Sequence, residues 1–295
     1  MKFGFIASCG TTAEILDMAV EAERAGWDGF FTWDGISIGT PDTYDPWALL
    51  GALAVTTRTI TLGAMVFSLP PRKPWEVARQ SITVDHLSGG RPVIPVGLGA
   101  VDDGAYSRVS GETIDIRTRA ELLDDTLAIL DLAWSGEPFS YTGTHHSVRD
   151  LVFRPLPVQR PCIPVWVVGM WPSEKSMNRA ISREGILPGR LGDPLTPLTP
   201  PELAEMVAWV SQRRRPAGST PFDVVVEGIL PADPREAEAT ARALADAGAT
   251  WWIESRWDFE QETAQTLLAR IRQGPPVLDA ASRDLGSIGH RPAIR

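Results

Sequence analysis

Several groups of residues in this chain have the types and spacing that binding or proton transfer needs. Gly169-Met170-Trp171-Pro172-Ser173 puts a glycine where an apolar extended run ends and a serine where a helix opens. Unpaired N–H donors and a hydroxyl at such a place are the chemistry that holds a phosphate. In Gly97-Leu98-Gly99-Ala100, two glycines around one residue bring backbone N–H groups up to a ligand, or simply make a turn. Trp33-Asp34-Gly35 offers a carboxylate beside a position of close backbone approach, although a lone aspartate serves equally well as a cap. Ala64-Met65-Val66-Phe67-Ser68 is mostly apolar and suits the wall of a flat ligand better than a metal cage. In Trp251-Trp252-Ile253-Glu254-Ser255-Arg256, alternation puts Trp252 and Glu254 on one face and Trp251 and Ile253 on the other, so one tryptophan faces a binding mouth.

Other chemistries find little support. His145 and His146 are adjacent and point to opposite faces of an extended segment, His86 closes a helix, His290 lies in the tail, and no HxH or HExxH occurs, so no metal site is expected. No GxSxG elbow marks a serine hydrolase, and Ser8-Cys9-Gly10-Thr11-Thr12 is not a Walker A loop. A net charge of −9 argues against a nucleic-acid partner, and the one basic run, Arg213-Arg214-Arg215, offsets a helix dipole. Cys9 and Cys162 form neither a disulfide framework nor a CxxC pattern. No apolar run approaches the roughly 18 residues of a membrane span, and Met1 to Ala7 is too short for a secretory core, so no membrane partner and a cytoplasmic location are expected.

The elements that must position these groups follow a rhythm of short β-branched or apolar runs alternating with longer helical patterns. With 43% apolar residues in 295, the chain can bury one large core. Strands are predicted at Phe3 to Ala7, Gly29 to Trp33, Ile60 to Val66, Pro92 to Gly97, Val165 to Gly169, Gly185 to Leu187, Asp223 to Ile229 and Trp251 to Glu254. Helices follow each, among them Asp45 to Thr56 with an Asp-Pro start, Pro74 to Leu87, Arg117 to Trp134, Glu202 to Arg214, Pro234 to Ala247 and Phe259 to Gln273. Eight such units predict an α/β fold, a single (β/α)8 TIM barrel over residues 1–274, with an insertion from Gly136 to Pro164 between strands four and five and an irregular tail over 275–295. A doubly wound sheet is the competitor, but no GxGxxG follows the first strand. Barrel chemistry sits at strand C-termini, where the groups named above fall.

The chain also resembles the bacterial luciferase-like monooxygenase superfamily of flavin- and deazaflavin-dependent oxidoreductases. The likeness rests on Ala22-Glu23-Arg24-Ala25-Gly26-Trp27-Asp28-Gly29-Phe30-Phe31 with Trp33-Asp34, on Asp45-Pro46-Trp47, and on Thr57-Arg58-Thr59-Ile60-Thr61-Leu62-Gly63. It continues through Pro70, Arg72 and Pro74 to Asp85-His86-Leu87-Ser88-Gly89-Gly90-Arg91, Gly97-Leu98-Gly99, Pro157-Val158-Gln159-Arg160-Pro161 and Ile163-Pro164-Val165-Trp166-Val167-Val168-Gly169. Asp85 and Arg91 enter strand four on the stability face, so their role is read as structural.

The resemblance implies a planar ring, FMN or the deazaflavin coenzyme, lying across the mouth with Asp34 near its polar edge. A bulge with a non-prolyl cis peptide buttresses the ring in deazaflavin-dependent relatives, and Met65-Val66 occupies that place. By the same resemblance, Leu98, Gly99, Gly169, Met170, Trp171 and Ser173 join Met65 and Val66 as cofactor contacts, the phosphate lying over the helix that opens at Ser173, and the apolar run and the strand-eight face add Ala64 and Trp252 as candidate contacts. Two departures stand out. Gly35 replaces the histidine many members carry, and Ala100 stands where some deazaflavin enzymes place a catalytic glutamate. Glu254, or Asp102 and Asp103, are therefore the candidate proton donors beside Asp34. The expected activity is hydride transfer to, or dioxygen activation for, a small organic substrate, in a homodimer as relatives commonly form. The alternatives are a flavin-binding barrel without turnover and a metal-assisted barrel hydrolase.

Overall fold

The computed structural model describes residues 1–39, 41–100, 102–194, 196–214 and 221–278. In chain order the elements are β1 (Lys2–Ile6), α1 (Thr12–Arg24), β2 (Gly29–Thr32), α2 (Pro46–Thr56), β3 (Thr61–Ala64), β4 (Phe67–Ser68), α3 (Pro74–Ser88), β5 (Ile94–Gly97), α4 (Gly104–Ser107) and α5 (Ile116–Ser135). The second half runs β6 (Phe139–Thr142), β7 (Ser147–Leu151), β8 (Val165–Trp171), α6 (Glu174–Ile181), β9 (Gly185–Arg190), α7 (Pro200–Arg213), β10 (Asp223–Gly228), α8 (Pro234–Asp246), β11 (Trp251–Glu254) and α9 (Ala264–Arg272).

Nine parallel segments form one sheet in the order β3-β2-β1-β11-β10-β9-β8-β5-β4. β3 and β4 are two pieces of the third barrel strand, separated at a cis Met65–Val66 peptide bond. The sheet closes because β4 pairs with β5 while Leu62 on β3 bridges Pro92, with Val93 N–H donating to the Leu62 carbonyl at 2.9 Å. The result is the expected α/β barrel of eight strands, and the antiparallel hairpin β6–β7 occupies the expected insertion.

Local chemistry sets the helix ends. Asp45 caps α2 by accepting from the Ala48 N–H at 2.9 Å, and Pro46 follows at the first helical position, where no N–H is needed. The last helix begins later than the Phe259 start that periodicity predicts. Asp258 accepts from the N–H groups of Glu260 and Gln261, which ties 258–261 into a turn, and Thr263 then caps α9. The short α4 carries no periodic signal and was not expected. α7 ends at Arg213; Arg215 of the basic run, and the tail from 279 onward, lie outside the described residues.

Two apolar layers hold the fold. The larger lies between the strands and the helices, and the smaller fills the barrel with Ile6, Phe31, Met65, Val93, Trp166, Leu187, Val225, Trp251 and Ile253. Near the N-terminal end three aromatics meet: Trp166 and Trp251 at 5.3 Å between centroids, Phe31 at 6.0 Å from Trp166 and 6.3 Å from Trp251. Glycines on neighbouring strands make room for them. A Cβ at Gly4 would stand 2.6 Å from Phe31 Cε2, and one at Gly29 2.7 Å from the same atom. Native packing density leaves no space for both, so the aromatics form a solid floor and the barrel opens only at its other end. Asp85 and Arg91 act below that floor. Asp85 accepts from the Gln159 amides, and Arg91 donates to the Ser88, Ile60, Ala54 and Thr57 carbonyls, stitching loops together.

Candidate active site

At the C-terminal ends of the strands lies a cavity of about 550 Å³, within the range of roughly 300–1,000 Å³ seen for small-molecule sites. Met65, Val66, Val168 and Met170 make one apolar wall. The opposite wall carries Glu227, Ser255, Trp257 and Asp258, with Leu187 and Val225 beneath and Pro194, Thr196, Pro197 and Leu198 over the opening. The walls face each other by topology, since β10 is four strand steps from the β3–β4 junction in either direction around the sheet.

Glu227 is the group that sequence reasoning missed. It sits on β10 opposite Ile253 of β11, two residues beyond Val225, whose side chain is on the inside of the barrel. Alternation therefore turns Glu227 toward the axis, one layer above the packed floor. It is exposed and lines the cavity, with protein massed around it. That surrounding protein pushes its pKa above the ordinary carboxylate value, and no cation or donor among the described residues opposes the shift. A readable signal exists: Asp223-Val224-Val225-Val226-Glu227 alternates like strand eight, and ends in a carboxylate where barrel catalysis occurs.

The expected site residues divide between this cavity and other places. Met65, Val66 and Met170 line it. Ala64 does not; it is buried in the layer beneath the helices. Gly169 likewise faces outward, where a Cβ would meet Ile186 Cδ1 at 2.6 Å and Ala180 of α6 at 3.2 Å, so its lack of a side chain serves the seating of α6 on β8. Trp171 packs edge-on against Trp209 of α7 at 6.0 Å. Ser173 stands at the rim as the α6 N-cap, with its hydroxyl making no cap hydrogen bond. The Leu98 and Gly99 carbonyls are taken by the buried Arg119 guanidinium, and the Cβ position of Gly99, whose φ is +80°, is filled by Tyr106 and Ser68 oxygens.

Trp252 and Glu254 require correction. Strand eight alternates as expected, but the face turned into the barrel is that of Trp251 and Ile253, while Trp252 joins the outer layer. Glu254 is fully buried there, held by Arg256 at 3.1 Å and Arg270 at 3.4 Å, with the Leu230 N–H and Trp252 Nε1 each donating at 3.3 Å. It is not among the residues that line the mouth. The reason is volume: Phe31 and Trp166, over their glycine neighbours, leave room inside for one further indole, that of Trp251. Asp103 is equally committed, accepting from the N–H groups of Ile36, Ser37 and Ala105. Asp102 is exposed beyond the end of β5.

Asp34 lines a separate polar pocket of about 200 Å³. Arg72 grips it with Nη2 at 2.6 Å and Nε at 3.3 Å, and the Ser68 N–H donates to it at 2.9 Å. Burial raises its pKa, and the Arg72 guanidinium and the Ser68 N–H oppose that shift. A carboxylate held on three sides positions the loop after β4 and is a poor proton carrier. Among the described residues, no three of His, Cys, Asp and Glu gather as a metal ion would need.

The apolar wall at Met65–Val66, facing a polar wall across a cavity of this size, fits a flat, largely apolar ring. Comparison with known proteins agrees in fold. The model of the luciferase-like monooxygenase family matches residues 3–283. An F420-dependent glucose-6-phosphate dehydrogenase from Beutenbergia cavernae is 28% identical over 293 residues, covering 96% of this chain and 76% of that protein. A protein of the same name from Microbacterium testaceum is 28% identical over 205 residues, but the match spans only 58% of its length. Among solved structures, coenzyme F420 dependent tetrahydromethanopterin reductase from Methanopyrus kandleri superposes with a TM-score of 0.72 at 14% identity, covering 92% of this chain and 98% of that one. The FMN-bound oxygenating constituent of 3,6-diketocamphane monooxygenase from Pseudomonas putida gives a TM-score of 0.70 at 16% identity, covering 94% and 98%. The chain belongs to the luciferase-like monooxygenase family.

Proposed function

We propose that the protein is a flavin- or deazaflavin-dependent oxidoreductase that transfers hydride to, or activates dioxygen for, a small organic substrate. The observation that carries this reading is the two-walled mouth: an apolar face at Met65, Val66, Val168 and Met170 for one side of a planar ring, with room toward β10 and β11 for a reactant on the other. When bound, the ring supplies the two-electron chemistry. The chain's part is to orient the two reactants face to face, to exclude water with the apolar wall and with Pro194, Pro197 and Leu198, and to present its carboxylates from one side only. The unengaged Ser173 hydroxyl and the free N–H groups of the first turn of α6 support seating the anionic tail at the rim beside Met170.

Titration of the purified chain with oxidised and reduced FMN, and separately with the deazaflavin, tests this. Trp257 lines the cavity and is 37% exposed, so its fluorescence should be quenched to saturation by the ring that belongs there. Absence of binding by both rings, in both redox states, would sink the reading.

The same reading includes a homodimer and a cytoplasmic location. α2 is apolar around its whole circumference, and its exposed Val55 lies on the same side of the barrel as the groove between α2 and α3 that Trp47, Gly51 and Leu87 line. A surface of that kind favours a second copy of the chain, and light scattering of the wild type against Val55→Glu checks it. Cys9 and Cys162 are both free thiols, as a reducing compartment maintains, and no described helix is long and apolar enough to cross a membrane.

A further inference from the structure

We propose that Glu227 is the residue that transfers the proton in this reaction, and that the wall it belongs to selects an uncharged, largely apolar substrate. This inference rests on the redox reading above and specifies the reactant and the acid–base group.

The cavity is one-sided in charge. Its described lining contains two carboxylates, Glu227 and Asp258, and no lysine, arginine or histidine. One Asp258 oxygen accepts from the Glu260 and Gln261 N–H groups, so Glu227 is the lining carboxyl with no hydrogen-bond partner among the described residues. A phosphorylated or carboxylated substrate finds no counter-charge in this lining and meets like charge from its carboxylates, Glu227 among them once it is ionised. A sugar phosphate, the compound in the names of the two dehydrogenases above, therefore has no cationic cradle here. Apart from the Thr196 and Ser255 hydroxyls and two glycines, the rest of the lining is apolar or proline, with the Trp257 indole among it and Trp33 and Phe259 packed on that indole at 6.1 and 6.2 Å. Neutral apolar molecules are what such a surface takes from water.

Position supplies the second half. The ring seated on Met65–Val66 has one face covered by that wall, so the reactant enters on the β10 side, where Glu227 is the inward titratable group. The charged groups facing it are few: Asp258 from the segment after β11, none from β9, whose cavity residues are Leu187, Pro188 and Gly189, and none from the Met65–Met170 wall. A carboxyl in these surroundings keeps its proton to higher pH than a solvated glutamate, which suits it to give one up during reaction. The step balances with a dihydroflavin or dihydrodeazaflavin as reductant. Hydride adds to the carbon of a polarised C=C, C=N or C=O bond, the π electron pair moves to the far atom, and that atom takes the proton from the Glu227 carboxyl. Water then restores the proton. In the reverse direction the Glu227 carboxylate accepts the proton as hydride leaves.

The first arm of the test uses the full chain without cofactor. 2-Naphthol and 2-naphthyl phosphate share an aromatic body and differ in charge, and calorimetry gives the affinity of each. Measured on the alkaline side of the Glu227 titration, where its carboxylate is ionised, the expected result is at least about tenfold tighter binding of the neutral compound, with Glu227→Gln narrowing the gap to about threefold. Equal affinities in the wild type, or a gap that Glu227→Gln leaves untouched, overturn the proposal. The second arm follows single-turnover oxidation of the bound reduced ring by neutral acceptors, 2-cyclohexen-1-one, menadione and cyclohexanone. Glu227→Gln should slow it about 100-fold with ring affinity unchanged, and Glu227→Asp should recover part of the rate. A Glu227→Gln rate within threefold of wild type, or no oxidation by any of the neutral acceptors when the ring is bound, overturns the proposal and leaves ring binding standing. Failure of the wild type to bind either ring overturns the redox reading instead, and the naphthol pair still reports on Glu227.

Discussion

Asp223 and Glu227 stand on the same face of β10, one at the floor of the barrel and the other at its mouth, and burial raises the pKa of both. Their surroundings differ. Asp223 accepts from the Thr250 hydroxyl at 3.0 Å, and Lys2 together with the Trp166 and Trp251 indoles opposes the shift, although neither indole N–H closes a hydrogen bond of normal geometry. Glu227 has no such company and looks into open space. The floor is a place where every volume is matched and polar groups are spent on the fold. At the mouth a polar group is left unspent, which destabilises the fold slightly and leaves it free to act on a ligand.

The largest effect that would break this contrast belongs to the floor. Trp166→Ala should lower the unfolding free energy by about 4 kcal/mol, read by urea denaturation; a loss under about 1 kcal/mol would mean the floor is loosely packed. Glu254→Gln comes next, because it strips the charge that neutralises Arg256 and Arg270 in the outer layer. A loss of about 2 to 3 kcal/mol is expected, with turnover per folded molecule within twofold of wild type. A tenfold fall in turnover at unchanged stability would return Glu254 to the catalytic site. Val168→Trp fills the mouth instead. It should weaken ring binding at least about tenfold, equivalent to about 1.4 kcal/mol, while the denaturation midpoint stays put, and unimpaired binding would move the ring elsewhere.

The smallest effect is the pH dependence that Glu227 imposes on stability. Its folded pKa is raised above the ordinary 4.5, so the native state binds the proton more tightly than the unfolded chain. Wild-type stability is then fully present below 4.5 and is lost as pH rises through the folded pKa. Glu227→Gln removes that loss. The two proteins should be matched near pH 4, with the variant the more stable at neutral pH; a difference that shrinks as pH rises would contradict the assignment.

Much of the architecture was legible because it depends on local signals. β-branched runs, Asp45-Pro46 and the glycines after helices mark the eight βα units, and the proline-rich break from Gly136 to Pro164 marks the hairpin. The site was legible in part. Met65, Val66 and Met170 fall on the cavity wall, while the space beside Gly169 is taken by Ile186 and Ala180, that beside Gly99 by Tyr106, and Asp34 pairs with Arg72. A glycine needed by a packed helix and a glycine needed by a phosphate carry the same letter, and only the neighbour distinguishes them.

Strand eight shows where the boundary lies. Its alternation determined from sequence alone that Trp252 and Glu254 share a side, because successive side chains of a strand point oppositely whatever surrounds them. Which side faces the barrel axis was decided by closure, when Phe31, Trp166 and Trp251 met over Gly4 and Gly29 from distant parts of the chain. Periodicity is a property of neighbouring residues, whereas inside and outside exist only once the sheet has closed and the available volume has been shared out.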